Sequence, residues 1–217
     1  KKETIPPAVS GGLDTVAVRL PDNAVTAAII KKAGLPLAAP SANLSGKPSP
    51  TNARHVAEDM DGRVDMILDG GECDIGLEST IVKVDGDTLT LLRPGGITYD
   101  ALCMVCEHVT VADAVTHQLA EGERPLSPGM KYRHYAPQEP VVIVSGSREK
   151  AAAYIRKHFE SGDRVLCFEE ELPLYEGCNP LSYGQEANVE TLSAGLFAAL
   201  RELDDPSIHQ VYARCPV

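Results

Sequence analysis

The sequence predicts an α/β protein with two domains, because short strand patterns alternate with helical patterns along its 217 residues. Residues 15–20 alternate apolar and polar side chains, as a half-buried strand does. Residues 141–144 are all apolar, which is typical of a strand buried on both faces. Between these patterns, residues 111–139 show little periodicity. We therefore predict a first domain at 1–110, an interdomain linker at 111–139 and a smaller second domain at 140–217.

Turn and capping residues predict the elements of the first domain. Asn23 precedes a helical pattern at 24–33 that Gly34 and Pro36 end. The other predicted elements are a strand at 35–39, a helix that begins with Ser49 as N-cap and Pro50 as first residue, a strand at 66–69, a hairpin of strands 79–84 and 89–93, and a helix at 98–105.

The second domain shows the same alternation. The predicted strands lie at 141–144, at 164–168, near Leu181 and at 209–213, and the predicted helices lie at 148–159 and 189–203. This order indicates a small, mostly parallel sheet.

Composition limits the possible classes of protein. The chain is 43% apolar, and no run approaches the roughly 20 apolar residues that span a bilayer, so we expect a cytoplasmic protein without membrane association. The formal charge of −11 argues against a nucleic-acid clamp but leaves a local basic groove open. The six cysteines favour reduced thiols, and we expect Cys103 and Cys106 to be buried thiols because no second pair completes a zinc site.

The loop that follows residues 35–39 is rich in small polar side chains, among them Ser41, Asn43 and Ser49. Hydroxyl groups beside the unpaired N–H groups of a helix start favour a phosphate or a carboxylate. The alternative is a serine-rich turn that only caps the helix.

The open end of the predicted hairpin is a second candidate site. If Val84 faces Leu89, then Thr80 faces Arg93, and Ser79 and Thr80 lie beside a guanidinium group. An arginine next to hydroxyl groups suits an anionic ligand, although a solvated surface charge is the alternative.

Four further polar residues leave alternatives open. Thr15 and Arg19 would project from one strand face, suited to the two ends of an extended ligand or simply to solvent. Asp74 and Glu78 would bind a metal or cap turns.

The linker contains an unusual segment at 127–137, with the sequence SPGMKYRHYAP. Two aromatic rings lie among basic or titratable groups, which suits a lid over a nucleotide. A docking strip between the domains is the alternative.

Three motifs together resemble the long, two-domain form of the threonylcarbamoyl-AMP synthase family: PSANLSGKPSPT, GLESTIV with LLRPGGIT, and SPGMKYRHYAP. The resemblance implies a YrdC-like twisted mixed sheet with helices, a lid-like linker and a smaller Rossmann-like α/β domain. The family carries a Lys-x-Arg element near its start that residues 1–10 do not match. We therefore expect a fragment that lacks the N-terminal part and has weak or absent activity by itself.

The resemblance implies a nucleotidyltransferase that condenses L-threonine, bicarbonate and ATP into threonylcarbamoyl-AMP and pyrophosphate, with Mg²⁺ accompanying ATP. The product serves the t6A modification of adenosine 37 in tRNA, so the tRNA threonylcarbamoyl-transfer machinery is the expected partner. By similarity, ATP would contact Thr15, Ser41, Ser49, Arg93 and Tyr132, and L-threonine would contact Arg19, Ala39 and Ser79. No residue is assigned as a nucleophile, a base or a metal ligand.

Two other functions of YrdC-like domains stay open. Double-stranded RNA binding is disfavoured by the acidic charge. Carbamoyl transfer is disfavoured because no acylphosphatase-like or zinc-finger segment is visible. The residues do not indicate a chemical role for the C-terminal domain.

Overall fold

A computed structural model describes residues 5–10, 14–116 and 139–215. The chain divides into two compact units, the first made of residues 1–42 and 52–72 and the second of residues 43–51 and 73–217. The domain boundaries predicted near residues 110 and 140 stay predictions.

The first unit contains helices α1 (Pro7–Ser10), α2 (Ala24–Ala33) and α3 (Ala53–Met60). The structure confirms the prediction for α2. The Asn23 side chain accepts a hydrogen bond from the Thr26 N–H at 3.1 Å and so caps the first turn. Gly34 ends the helix in the left-handed region, with φ at 66°, and donates to the Ile30 carbonyl.

The three strands predicted in this unit, at 15–20, 35–39 and 66–69, are wrong. The described residues of these segments form no strand, and apart from the half-buried Ile67 their apolar side chains are exposed, 88% for Val18 and 95% for Leu20. An alternating pattern becomes a strand only when a neighbouring strand pairs with its backbone. The described residues of the first unit provide no such neighbour.

The predicted start of the second helix is also wrong. Helix α3 begins at Ala53, and its N-cap is Asn52, whose side chain accepts from the His55 N–H at 3.0 Å. Asparagine is as strong an N-cap as serine, and it lies closer to the helical pattern. The Ser49 hydroxyl group therefore does not cap the helix and can form a hydrogen bond with another residue.

The second unit begins with a three-stranded sheet. Strands β1 (Ile81–Asp85) and β2 (Thr88–Arg93) form the predicted antiparallel hairpin, with Val84 opposite Leu89 as expected. After helix α4 (Tyr99–Cys103), strand β3 (His108–Val111) pairs with β2 in parallel, and helix α5 (Asp113–Thr116) follows. The sheet is therefore mixed.

The register at the open end of the hairpin differs from the prediction. Ile81, and not Thr80, lies opposite Arg93, because the register shifts between Ile81 and Val82. Val82 pairs with Leu91, so Leu92 is the extra residue of a bulge in β2. The pattern of side chains along β2 does not reveal such an insertion.

The C-terminal part of the second unit is a parallel α/β layer, as predicted. Its elements are β4 (Val141–Val144), α6 (Arg148–His158), β5 (Arg164–Cys167), a 3₁₀ helix (Glu169–Tyr175), β6 (Pro180–Ser182), α7 (Val189–Glu202) and β7 (Val211–Arg214). The strands lie in the order β4-β7-β5-β6, and all their pairs are parallel. We call this sheet the C-terminal sheet.

The core of this layer consists of two apolar clusters, one involving α6 and the other α7. Residues with no exposed surface include Ile155, Val165, Tyr175, Leu203 and Val211. Strand β4 was predicted to be buried on both faces, and this is wrong. It lies at the edge of the C-terminal sheet, where Val141 is 39% and Ile143 is 66% exposed.

All six cysteines are free thiols, as predicted. Cys103 is exposed and Cys106 is half-buried, so the expectation that both are buried is wrong. The Cys106 thiol donates to the Asp87 carbonyl at 3.2 Å. Among the described residues, the structure contains no helix with the length and apolar character needed to span a membrane.

An ionic cluster lies where the strands of the C-terminal sheet end. Arg214, which is 3% exposed at its side chain, donates from Nε to Glu171 Oε1 at 2.6 Å and also pairs with Glu186. Arg148 donates to Glu186 at 2.6 Å, and the Arg214 guanidinium lies 5.0 Å from the centre of the Phe168 ring. Glu171 is completely buried. A buried carboxylate needs such partners, because an unpaired charge is costly to remove from water.

We expect Arg214→Met to destabilise the protein by about 3 to 5 kcal/mol, because it leaves Glu171 buried without its closest cationic partner. Urea unfolding measures the change. Arg156→Met is the matched control, since it removes an exposed arginine of the same layer that donates to one carbonyl at the surface. Equal losses in the two variants would contradict the assignment.

The stability of the C-terminal layer should also depend on acid pH. Hydrogen bonds from Arg214, and then from Arg148, hold the pKa of Glu186 below its ordinary value of 4.5. A lowered folded-state pKa contributes stability above the unfolded pKa, and this is lost as the pH falls through the folded value. The difference in melting temperature between wild type and Glu186→Gln should therefore shrink below pH 4.5. The exposed Glu176→Gln variant controls for the loss of a charge.

Candidate functional site

A cluster of polar side chains forms in the second unit where three distant segments meet. Ser49 donates from its hydroxyl group to Glu78 Oε1 at 2.5 Å. Arg93, the last residue of β2, places Nη2 at 3.3 Å from Glu78 Oε2. The Arg93 Nε donates to the Ser79 carbonyl at 2.9 Å. We call Ser49, Glu78, Ser79 and Arg93 the anion cluster.

The end of the hairpin gives this cluster its geometry. The strand pairing brings Arg93 next to Ser79, and the turn after β2 then runs back along the same segment. A Cβ atom at Gly95 would overlap the Glu78 carbonyl oxygen, so only glycine allows this approach. The Thr80 hydroxyl fixes the other side of the turn, since it accepts from the Ile97 N–H at 3.0 Å and donates to the Ile97 carbonyl.

The loop before α3 brings Ser49 to the cluster. The Asn43 side chain donates to the Leu44 carbonyl at 2.9 Å and to the Lys47 carbonyl at 3.0 Å, which holds the loop closed. Pro48, next to Ser49, is buried. These contacts fix the backbone of the loop and so restrict the direction of the Ser49 hydroxyl group.

The charges of the cluster are well shielded from water. The side chains of Arg93 and Glu78 are 15% and 19% exposed. Hydrogen bonds that involve ionised groups are stronger than neutral ones, and shielding strengthens them further. The guanidinium is therefore held in one orientation, beside a hydroxyl group and a backbone carbonyl. A guanidinium in this position suits the binding of an anionic group.

The thiol of Cys73, which precedes Glu78 by five residues in the sequence, is not activated for nucleophilic chemistry. Burial, and then the negative charge of Asp74, raise the pKa of the Cys73 thiol. A raised pKa keeps the thiol protonated at neutral pH, and the thiolate is the nucleophile. This agrees with a site that works by binding and positioning.

The structure brings together three of the residues predicted for the site, namely Ser49, Ser79 and Arg93. The predicted residues of the first unit are all exposed and lie outside helices and strands: Thr15, Arg19, Ala39 and Ser41. Tyr132 and the predicted lid at 127–137 lie outside the described residues.

The first unit also contains a shallow cavity of about 320 Å³. Its lining residues are Asn52, Ala53, Arg54, Asp69, Gly71 and Glu72. Two carboxylates and one guanidinium, that of Arg54, line the cavity, so its balance of charge is unfavourable for an anion at the start of α3. In the anion cluster one guanidinium faces one carboxylate, so the balance of charge there is less unfavourable.

Glu78 is the member of the cluster that sequence reasoning left undecided between a metal ligand and a turn cap. Its carboxylate instead joins Ser49 to Arg93. The described part of the chain contains no group of three or more His, Cys, Asp and Glu residues that could hold a metal ion. The one signal in the sequence that could have assigned Glu78 to the site is its position directly before Ser79 and Thr80.

Comparison with known families and structures identifies the family of the chain. Residues 1–95 match the Sua5, YciO and YrdC family, described as telomere recombination. Residues 97–216, more than half of the chain, match the family described as threonylcarbamoyl-AMP synthase, C-terminal domain.

Individual relatives extend the similarity over nearly the whole chain. The threonylcarbamoyl-AMP synthase of Bacillus subtilis is 45% identical over 98% of this chain and 61% of that protein. The same-named protein of Pyrococcus abyssi is 39% identical over 98% of this chain and 62% of that protein, and that of Schizosaccharomyces pombe is 37% identical over 92% and 52%. The chain thus spans about half to three fifths of the length of these relatives.

The fold agrees with that of solved structures. The crystal structure of P. abyssi Sua5 complexed with L-threonine superposes with a TM-score of 0.81 at 37% identity, covering 98% of this chain and 62% of that one. A variant of the same Sua5 protein superposes with a TM-score of 0.80. The mixed sheet followed by a parallel α/β layer is therefore the fold of these structures. The chain belongs to the threonylcarbamoyl-AMP synthase family.

Proposed function

We propose that the protein carrying this chain is an L-threonylcarbamoyladenylate synthase, which makes threonylcarbamoyl-AMP and pyrophosphate from L-threonine, bicarbonate and ATP. The observation that carries the proposal is the anion cluster, because it joins Ser49 of one family motif to Ser79 and Arg93 of another. A guanidinium held beside a hydroxyl group matches the demands of a triphosphate.

ATP would take the polyanionic part of the site. Arg93 would contact the phosphate chain and offset charge that develops during the reaction, while the hydroxyl groups of Ser41 and Thr15 would donate to oxygen atoms of the nucleotide. Ser49, whose proton is donated to Glu78, would contact the nucleotide through its hydroxyl oxygen as an acceptor. Tyr132 would close over the nucleotide. Mg²⁺ would enter with ATP as part of the substrate, since this ion is usually held by substrate phosphates together with few protein groups.

L-Threonine would lie beside the nucleotide. Arg19 would pair with its carboxylate, the Ala39 backbone would bind a polar group of the amino acid, and Ser79 would hold it at the other side. The similar P. abyssi Sua5 structure is a complex with L-threonine, which supports this substrate.

The chemistry needs no nucleophilic side chain. The amine of threonine attacks the carbon of bicarbonate, water leaves, and a carbamate forms. A carbamate oxygen then attacks the α-phosphorus of ATP in line, and pyrophosphate leaves. The rate would come from positioning the reactants and from stabilising the developing charge. In this scheme the enzyme is a nucleotidyltransferase.

The product is a mixed anhydride that water hydrolyses easily. A lid at 127–137 would exclude water while the product forms. The product would then pass to the tRNA threonylcarbamoyl-transfer machinery for t6A37 modification, which places the reaction in the cytoplasm.

Arg93→Ala in the complete protein should lower kcat/KM for ATP by about 100-fold or more, because the principal cation of the anion cluster is lost. Arg93→Lys should recover only part of this rate, since lysine lacks the planar fork of donors. Release of pyrophosphate that depends on ATP and threonine measures the effect. Lys83→Ala is the control, because Lys83 lies in the same hairpin with an exposed side chain.

The isolated 217-residue chain should release pyrophosphate more slowly than the complete protein, because residues 1–10 do not match the Lys-x-Arg element of the family's phosphate site. Both proteins are assayed at equal concentration with ATP, bicarbonate and L-threonine. Equal rates would contradict this prediction.

A further inference from the structure

We propose that the C-terminal sheet and its helices hold the anion cluster in its working geometry, and that Gly76 is the positioning residue through which they do so. The inference rests on the proposed function. It assigns a role to the part of the chain in which we identify no group that contacts substrate.

The contact between the two layers is made by backbone. Gly76 is buried, and its N–H donates to the Ser193 carbonyl of helix α7 at 3.0 Å. A Cβ atom at Gly76 would overlap the Ala194 carbonyl oxygen and lie 3.1 Å from that of Ser193. Both obstacles are backbone atoms of a helix, which do not move aside as a side chain does. Only glycine therefore fits at this position.

Helix α7 is itself firmly attached to the C-terminal sheet. A Cβ atom at Gly195 would overlap the Tyr183 carbonyl oxygen, so the helix lies directly against the chain that follows β6. The Asn188 side chain caps its first turn by accepting from the Glu190 and Thr191 N–H groups, and Phe197 is buried beneath it. The partner of Gly76 is thus a rigid element.

Residues 75–78 connect helix α7 to the anion cluster. One side of this segment contacts α7 at Gly76, and the other side contacts the turn that follows β2. A Cβ atom at Gly96 would lie only 2.6 Å from the Ile75 side chain, and Gly95 contacts the Glu78 carbonyl. Residues 75–78 are therefore clamped between α7 and this turn. Glu78, two residues from Gly76, then orients Ser49 and Arg93.

Displacement of this segment would act on the chemistry more than on the fold. The Ser49 and Arg93 contacts of Glu78 are 2.5 and 3.3 Å long, so a shift of about 1 Å removes them. A misplacement of that size in a site that works by positioning costs on the order of 100-fold in rate. The effect should appear in kcat as well as in KM.

The experiment compares variants of the complete protein. Gly76→Ala should lower kcat for pyrophosphate release by about tenfold or more, at temperatures well below its own melting temperature. Val165→Ala removes side-chain atoms from the fully buried core of the C-terminal sheet and should lower the melting temperature while leaving kcat within about twofold. Ser193→Ala should behave as wild type, because the acceptor is the backbone carbonyl.

Hydrogen exchange gives a readout that does not depend on activity. Gly76→Ala, without substrates, should speed exchange of the peptide that covers residues 77–80, and Val165→Ala should not. If Gly76→Ala does not fold, the wild type provides the test: ATP with L-threonine should slow exchange in α7 as well as in residues 77–80.

The outcomes separate the two proposals. A wild-type protein that makes no pyrophosphate overturns the proposed function. If the wild type is active and Gly76→Ala has the same kcat and the same exchange rates, the positioning role is overturned. It is also overturned if Val165→Ala loses as much kcat as Gly76→Ala, or if ATP with L-threonine does not slow exchange in α7 of the wild type.

Discussion

The bridge that Glu78 makes between Ser49 and Arg93 is the interaction on which the candidate site depends. The two charged side chains are mostly shielded from water, where an unpaired charge would be costly. Each partner comes from a different segment: the loop before α3, the segment after Gly76 and the end of β2. Pairing of the charges therefore joins these segments as well as neutralising them. The Arg93 guanidinium is thereby held in a defined orientation, in which the proposed function has it contact the phosphate chain of ATP.

The second ionic cluster of the molecule resembles the first in the kind of residue and in position. Its inner pair, Arg214 and Glu171, has almost no exposed surface, whereas Arg148 and Glu186 are 40% and 30% exposed. Arg93 is 15% exposed, and like Arg214 it is the last residue of its strand. What distinguishes Arg93 is its place in a motif of the family, and neither its residue type nor its exposure.

Local signals predicted much of the secondary structure. Helix α2 follows from Asn23 and Gly34, whose caps act within a few residues, and the parallel order of the C-terminal sheet follows from alternating helices and strands. The errors concern long-range pairing. Residues 15–20 have the pattern of a strand without a pairing neighbour among the described residues of their unit, and the bulge at Leu92 shifts Arg93 by one position.

The sequence by itself determined the family and three residues of the cluster, Ser49, Ser79 and Arg93, because hydroxyl groups, glycine turns and a strand-end arginine occur in motifs of fixed spacing. Only the tertiary structure decided the roles of Glu78 and Gly76. Glu78 acts through partners far away along the chain, and Gly76 is required because backbone atoms of α7 occupy the space of a side chain. Contacts of this kind depend on how folded elements approach each other, which no local pattern of residues encodes.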